Sequence, residues 1–352
     1  MTKPHEDRPP EAAADFDIEN LRSYLRQFLG APVRQLEVRS TTGGQSNPTY
    51  FVTTDDWRGI LRKQPGMDLA KSAHAIDREF RVLKALHGTD VPVPEPYVYH
   101  EDAELIGTPF YLMEWLDGRV VYDYAMPTIA KEERIELYDS MARVMAAIHK
   151  LDFRALGLGD YGREGNYFRR QLSRWSGLWQ EYRKGDDHNP ALDRVIAWLD
   201  ERVPDSELLA LCHGDYRFAN TIVHKSEPRI LGVVDWELST LGHPLVDVAF
   251  NTMAYDVPPE VNGGLAGLDI AALGVPSRDD YLERYYRYAG TRERMANFHR
   301  VFAMFRGAVG SAGVAVRGEK GNSTLPDSAR IGWMMADAYS ERALSIAMKD
   351  TK

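Results

Sequence analysis

Two short stretches in the second half of the chain carry side chains that could handle a phosphoryl group. In His213-Gly214-Asp215-Tyr216-Arg217-Phe218-Ala219-Asn220, four residues separate a carboxylate from a carboxamide, which puts both on one tight loop. A little further on, Asp235 closes the apolar run Leu231–Val234 and is followed by Trp236 and Glu237. Phosphoryl transfer asks for this set: one carboxylate accepts or orients a hydroxyl proton, while an amide and a second carboxylate hold Mg²⁺ against a triphosphate. An aspartate and an asparagine at this spacing are common by chance. The strand-borne aspartate that follows makes the pattern specific. Cys212, the single cysteine, abuts the loop without a partner for nucleophilic work and reads as a buried apolar filler. One cysteine also excludes an intrachain disulfide and a multi-cysteine metal site.

A strand has to deliver Asp235, and a turn has to gather Asp215 and Asn220. The surrounding pattern supplies both, with Leu209–Cys212, Thr221–His224 and Ile230–Asp235 reading as short strands between polar turns. Upstream, residues 131–151 read as a long amphipathic helix with Ile135, Tyr138, Met141, Met145 and Ile148 on one side. Further helices are expected near 166–183 and 190–202, and from Pro244 onward the chain is mostly helical with a loop around Gly263-Gly264. The first third has another character, several strands around one helix. A helical run from Leu21 to Phe28 lies between Asp17 and Gly30, ahead of the strands Thr49–Thr53 and Ile60–Lys63. Ile76, Phe80, Leu83 and Leu86 then have helical spacing, closed by Gly88, before the strands Tyr97–His100 and Phe110–Trp115. The alternating prolines of Val91–Pro96 exclude a helix there.

The 352 residues carry 43 basic against 52 acidic side chains, a formal net charge of −9. That balance argues against nucleic-acid binding, which needs clustered Lys and Arg. No apolar run reaches the roughly 20 residues of a membrane span. The Pro- and charge-rich N-terminus has no apolar core of a secretory signal. A cytoplasmic protein without a membrane or nucleic-acid partner is expected; nothing in the sequence speaks to its oligomeric state.

With the loop and the strand-borne aspartate in place, residues 35–310 resemble the protein-kinase-like fold and, within it, the aminoglycoside phosphotransferase family. The similarity is greatest to the kinase domains of that family found alone in bacteria or fused to some eukaryotic acyl-CoA dehydrogenase family proteins. The resemblance implies Asp215 as catalytic base or orienting group and Asn220 and Asp235 as magnesium ligands. It leaves Arg217 as either a γ-phosphate contact or a structural ion pair. It makes His213 a support for the loop, Glu237 a weak metal or substrate contact, and Asp247 an acceptor for the loop's backbone amides. Gly43, Gly44, Gln45, Ser46 and Asn47 look like the family's nucleotide loop, since glycine lets backbone amides approach phosphate oxygens. A phosphate-clamping cation then belongs on the next strand, paired with a helical glutamate. Glu79 is the partner; strand alternation sends Arg62 and Lys63 to opposite faces, so only one can face the cleft. The resemblance favours Arg62, which stands where the family's kinases carry the clamping lysine. Glu114, Trp115 and Leu116 fall where the family's hinge meets adenine.

The resulting expectation is an α+β, two-lobed kinase-like fold. Residues 1–15 form a disordered lead-in, 16–116 a β-rich nucleotide lobe and 117–352 a larger, mainly helical lobe that binds the acceptor. The expected activity is ATP- and Mg²⁺-dependent phosphorylation of a small hydroxyl compound, a hydroxylated acid or acyl-CoA. An aminoglycoside kinase and a non-catalytic nucleotide- or acyl-CoA-binding module are the alternatives. A protein kinase is disfavoured, because Trp236 to His243 is too short for an activation loop with a peptide platform. The cationic stripe Arg169, Arg170 and Arg174 is expected to suit an anionic acceptor better than an amine.

Overall fold

In the computed structural model the described residues are 14–41, 47–65, 76–163, 165–183, 185, 188–206, 208–321 and 327–350. They divide into two compact units, one running to Thr89 with Val93–Asp117 added, the other holding Asp90–Pro92 and Gly118 onward.

The first unit begins with helix α1 (Ile18–Leu29), whose N-terminal amides of Glu19 and Asn20 are capped by Asp17 and whose end turns at Gly30. Strands β1 (Leu36–Ser40), β2 (Thr49–Thr54) and β3 (Arg58–Lys63) follow, then helix α2 (Ile76–Leu86) and strands β4 (Pro96–His100) and β5 (Phe110–Glu114). The five strands form one antiparallel sheet in the order β1-β2-β3-β5-β4. Alternation sends Tyr50, Val52, Leu61, Phe110 and Leu112 into one core with Leu21 and Leu25 of α1. Tyr111 packs instead against Phe80 of α2, ring centroids 5.7 Å apart and planes tilted by 48°. Both helical runs expected from the sequence are present, so the sheet is accompanied by two helices, and β1 is an addition to the strands expected.

The second unit opens with β6 (Gly118–Arg119) and the helices α3 (Lys131–Lys150), α4 (Tyr167–Tyr182) and α5 (Pro190–Asp200). Strands β7 (Ala210–Cys212), β8 (Thr221–His224), β9 (Ile230–Val233) and β10 (Thr240–Gly242) come next. They form a β6-β8-β9 sheet and a β7-β10 pair. Helices α6 (Leu245–Asn251), α7 (Ile270–Leu273), α8 (Arg278–Ala289), α9 (Asn297–Glu319) and α10 (Ser328–Lys349) complete it. The main core joins Phe168 and Trp179 of α4, Leu192 and Leu199 of α5, Phe302 and Phe305 of α9 and Tyr339 and Ala343 of α10. Gly332 lets α10 lie directly on α9, since a Cβ there would come 2.7 Å from the Ser311 carbonyl. On α3, Ile135 departs from expectation and is exposed, whereas Tyr138, Met141, Met145 and Ile148 are buried. Six residues before Met141, Ile135 lies roughly 120° round the helix from it. No helix among the described residues is long and apolar enough to cross a membrane.

Candidate active site

The expected loop follows β7 and is held almost entirely through its backbone. Asp247, fully buried on α6, accepts hydrogen bonds from the His213 amide (2.6 Å) and the Gly214 amide (2.9 Å), with His149 Nε2 3.3 Å from the same carboxylate. Burial alone would raise the Asp247 pKa; His149, His213 and the Gly214 amide outweigh it and hold the carboxyl below its ordinary value. Gly214 sits at φ +84°, and a Cβ there would collide with the Leu238 carbonyl, so only glycine serves. The His213 ring is structural, as expected: Nδ1 accepts from the Asp215 amide (3.2 Å) and Nε2 donates to the Val234 carbonyl (3.0 Å). Asn251 Nδ2 donates to the Tyr216 carbonyl, and the Tyr216 hydroxyl donates to the Met141 carbonyl.

On this framework a short 3₁₀ turn, Phe218–Asn220, swings Asn220 back toward Asp215. Asn220 Nδ2 donates to Asp215 Oδ2 at 2.8 Å and to the Asp215 carbonyl at 2.9 Å. That orientation fixes the amide, and leaves its carbonyl oxygen as the atom able to meet a cation. Burial raises the Asp215 pKa, and Asp235 raises it too, against the lowering effect of Arg217, His213 and Asn220. Arg217 Nε stands 3.3 Å from Asp215 Oδ1, an ion pair at the site itself. Asp235 lies just past the end of β9, at φ +67°, the left-handed region that aspartate tolerates better than most residues. Glu237 lies in the 3₁₀ turn that follows, Trp236–Leu238.

Arg306 was not anticipated. It is only 7% exposed on α9 and donates from Nη2 to the Gly214 carbonyl at 3.1 Å. Its guanidinium rests against Trp175 and Phe250. A lone charge inside the apolar run Phe302–Ala308 was the available signal, the same kind that singled out Asp247.

Beside the loop, within the same unit, a cavity of about 320 Å³ is lined by Tyr122, Asp123, Tyr124, Arg217, Phe250 and Tyr339 among others. Burial raises the Tyr124 and Tyr339 phenols. The Tyr124 ring meets Phe218 of the loop, centroids 5.8 Å apart, and Tyr339 shares the cavity wall with Arg217. Asn262 Nδ2 donates to the Tyr339 hydroxyl at 3.3 Å and so ties the Gly263 loop to α10. The stripe of Arg169, Arg170 and Arg174 does not line this cavity: Arg169 pairs with Asp200 at 2.7 Å, Arg170 donates to the Gly165 and Arg163 carbonyls, and Arg174 is exposed. Helical spacing grouped the three correctly but could not say what their face meets. Cys212 is buried and its thiol pKa is pushed up by burial, in keeping with a filler.

In the first unit, Arg62 Nε pairs with Glu79 Oε2 at 2.9 Å, while Lys63 turns the other way and pairs with Asp15 at 2.9 Å. Arg62 Nη1 donates to Thr49 Oγ1 (3.1 Å), which in turn donates to the buried Asn47's carbonyl (3.1 Å). Gly43, Gly44, Gln45 and Ser46 lie outside the described residues. Glu114 ends β5 and its carboxylate accepts from the Glu95 amide at 3.2 Å. Trp115, past the strand, packs on Phe51 with Arg58 over its ring, and Leu116 follows.

A small antiparallel sheet unit with a buried arginine–glutamate pair, and a helical unit carrying an anchored Asp-x4-Asn loop, define a kinase-like fold of the aminoglycoside phosphotransferase type. Residues 37–298 match the phosphotransferase enzyme family (APH), and the chain belongs to it. A Ralstonia eutropha protein provisionally assigned as an aminoglycoside phosphotransferase has a similar solved structure, 39% identical, TM-score 0.82, covering 95% of this chain and 99% of that one. Mouse acyl-CoA dehydrogenase family member 10 is 35% identical over 97% of this chain and 32% of its own length. Rat family member 11 is 38% identical over 89% of this chain and 41% of its own. The chain therefore spans less than half of these curated relatives.

Proposed function

We propose that this phosphotransferase-family protein is an ATP- and Mg²⁺-dependent kinase that phosphorylates the hydroxyl of a small hydroxylated acid or its acyl thioester. The observation that carries the reading is Asp215, bonded to Asn220 at 2.8 Å on a loop pinned by Asp247, beside a cavity of about 320 Å³. Asp215 would accept the hydroxyl proton as the acceptor oxygen bonds to the γ-phosphorus and the bond to the departing ADP oxygen breaks. Its raised pKa suits a group that must take a proton near neutrality. The Asn220 carbonyl oxygen and the Asp235 carboxylate are hard oxygen donors of the kind Mg²⁺ takes, and the bond fixing the Asn220 amide supports that role. When bound, Mg²⁺ would neutralise charge on the phosphates. Arg62, oriented by Glu79, would clamp phosphates together with Gly43, Gly44, Gln45, Ser46 and Asn47, and the backbone of Glu114, Trp115 and Leu116 would meet adenine. Arg217, beside the base and in the cavity wall, would face either the γ-phosphate or an acceptor carboxylate.

The cavity lining favours an anionic or apolar acceptor over a polycationic sugar. Among the described residues lining it, Asp123 is the only carboxylate, and that side chain already accepts from the Ala125 amide at 2.8 Å. Each desolvated ammonium would need its own partner. The test is steady-state ADP release with hydroxy acids, hydroxyacyl-CoA compounds and kanamycin-type sugars side by side. Turnover of the acids or thioesters supports the reading. Turnover of the sugars alone restores the antibiotic-kinase reading, and nucleotide binding without any turnover leaves a binding module.

A further inference from the structure

Three arginines from three different helices converge on one buried aspartate in the second unit. Asp256 ends a 3₁₀ turn after α6, and its Oδ1 lies 2.6 Å from Arg300 Nη2 and 3.2 Å from Arg342 Nη2. Its Oδ2 lies 2.8 Å from Arg278 Nη2 and 3.3 Å from Arg300 Nε. Among the described residues no other carboxylate is within ion-pair distance of any of the three, so the cluster has two more positive charges than negative ones.

The surplus is also visible donor by donor. Arg300 Nη1 is used by Asn297 Oδ1 at 2.9 Å, but the buried Nε atoms of Arg278 and Arg342 have no hydrogen-bond partner among the described residues. Arg278 is the first residue of the 12-residue helix α8, where the positive end of the helix disfavours a cation and favours an anion. Burial, together with the like charges of Arg300 and Arg342, holds the Arg278 guanidinium below its ordinary pKa despite Asp256. The side chains of Arg278, Arg300 and Arg342 remain 20%, 22% and 36% exposed, so a ligand can reach them.

We propose that Arg278, Arg300 and Arg342 form a phosphate-binding site in which Asp256 is the strut that holds the guanidinium groups in place. A phosphate monoester or free phosphate carries about 1.5 to 2 negative charges near neutrality, which matches the surplus, whereas a carboxylate would leave one cation over. Guanidinium forks suit the oxygens of such a group. Asp256 directly precedes Val257 of the cavity wall, and Arg342 lies three residues, about 4.5 Å of helix rise, beyond Tyr339. A phosphate held here is therefore near the acceptor cavity, and its source is either the free ion or an ester carried by a larger acceptor. The second source rests on the acyl-thioester reading above.

Calorimetry on the full chain decides it, with inorganic phosphate and coenzyme A as separate probes in chloride buffer of matched ionic strength. Arg342→Gln, the most exposed of the three, should keep its melting temperature and lose about tenfold or more in phosphate affinity, the loss of a hydrogen bond to a charged group. Arg278→Lys, which keeps the charge and loses the fork, should lose part of it, and Arg202→Gln none. Coenzyme A binding more tightly than phosphate, with the gain lost in Arg342→Gln, assigns the phosphate to a larger ligand. Equal affinities assign it to the free ion. Wild type and Arg342→Gln binding both probes alike, or wild type binding neither, overturns the site. The inorganic phosphate measurement needs no kinase activity, so its outcome is separate from that of the acceptor assay.

Discussion

The loop at Asp215 and the cavity beside it adjoin in one unit, yet they are built by opposite means. The loop is fixed by charged and polar side chains that reach its backbone: Asp247 at two amides, Arg306 at a carbonyl, Asn251 at another. The cavity is walled mainly by Tyr122, Tyr124, Phe250, Met253 and Tyr339, with Asp123, Arg217 and Asn262 as its polar members. A polar anchor tolerates little change, because a buried amide or carbonyl left without its partner costs about 1–3 kcal/mol. A mainly apolar wall is set by shape and volume, so volume-conserving changes there are tolerated better than changes at the loop's anchors.

The comparison breaks most visibly at its anchor. Asp247→Ala strands two buried amides together, so it should cost about 2–6 kcal/mol of stability and nearly all turnover. A urea melt with a parallel rate assay checks this, and near-wild-type stability would mean that the loop stands without its strut. Next in size, Arg62→Ala should weaken nucleotide use by about 1.5–3 kcal/mol in kcat/KM, the range for hydrogen bonds to charged groups. Lys63→Ala should do much less, and Arg62→Lys should recover part of the loss. The reverse ranking would move the proposed clamp to the other face of β3.

A third test acts on the scaffold and leaves the cavity alone. His243 and His299 are held neutral, with pKa lowered from 6.5 to about 4, His243 by burial and the neighbouring His149, His299 by burial and His243. The unfolded chain binds protons first, so this contribution is complete above about 6.5 and is lost as pH falls from there toward 4. Melting temperature should drop across that window, and His243→Gln/His299→Gln should flatten the drop. A wild-type melting temperature that is level from pH 6.5 to 4 would contradict their burial as neutral rings. The smallest effect belongs to the cavity wall. Tyr339→Phe removes one neutral hydrogen bond, about 0.5–1.5 kcal/mol, and should raise the acceptor KM a few-fold with kcat and the nucleotide KM unchanged. An equal fall in kcat would place Tyr339 in the chemistry.

Much of the loop was legible because its chemistry demands particular atoms. Asp215, Asn220 and Asp247 announced themselves as polar residues where apolar or turn residues would otherwise do, and the structure brings them together. That Arg62 and Lys63 face opposite ways followed from strand alternation, and which of them meets Glu79 followed from the family resemblance. Arg306 carried the same signal as Asp247, a lone charge in an apolar run, but its partner is the backbone carbonyl of Gly214, 92 residues away, which spacing cannot name. The cavity was illegible for a similar reason: Tyr122, Arg217, Phe250 and Tyr339 are far apart in the chain, and nothing local links them. The Arg169 stripe misled because periodicity reports a shared face, never what that face meets. Strands β1, β6 and β10 are short or mixed in character, too brief for alternation to stand out.

The central claim is that Asp215 handles the acceptor proton while Asp235 holds the metal and nucleotide. Its most direct test is Asp215→Asn beside Asp235→Ala, each assayed for phosphoryl transfer to the best acceptor and for Mg·ATP affinity by calorimetry. Asp215→Asn should abolish transfer with nucleotide affinity near wild type, and Asp235→Ala should lose both. Substantial transfer by Asp215→Asn, or an unchanged Mg·ATP affinity in Asp235→Ala, would contradict the assignment.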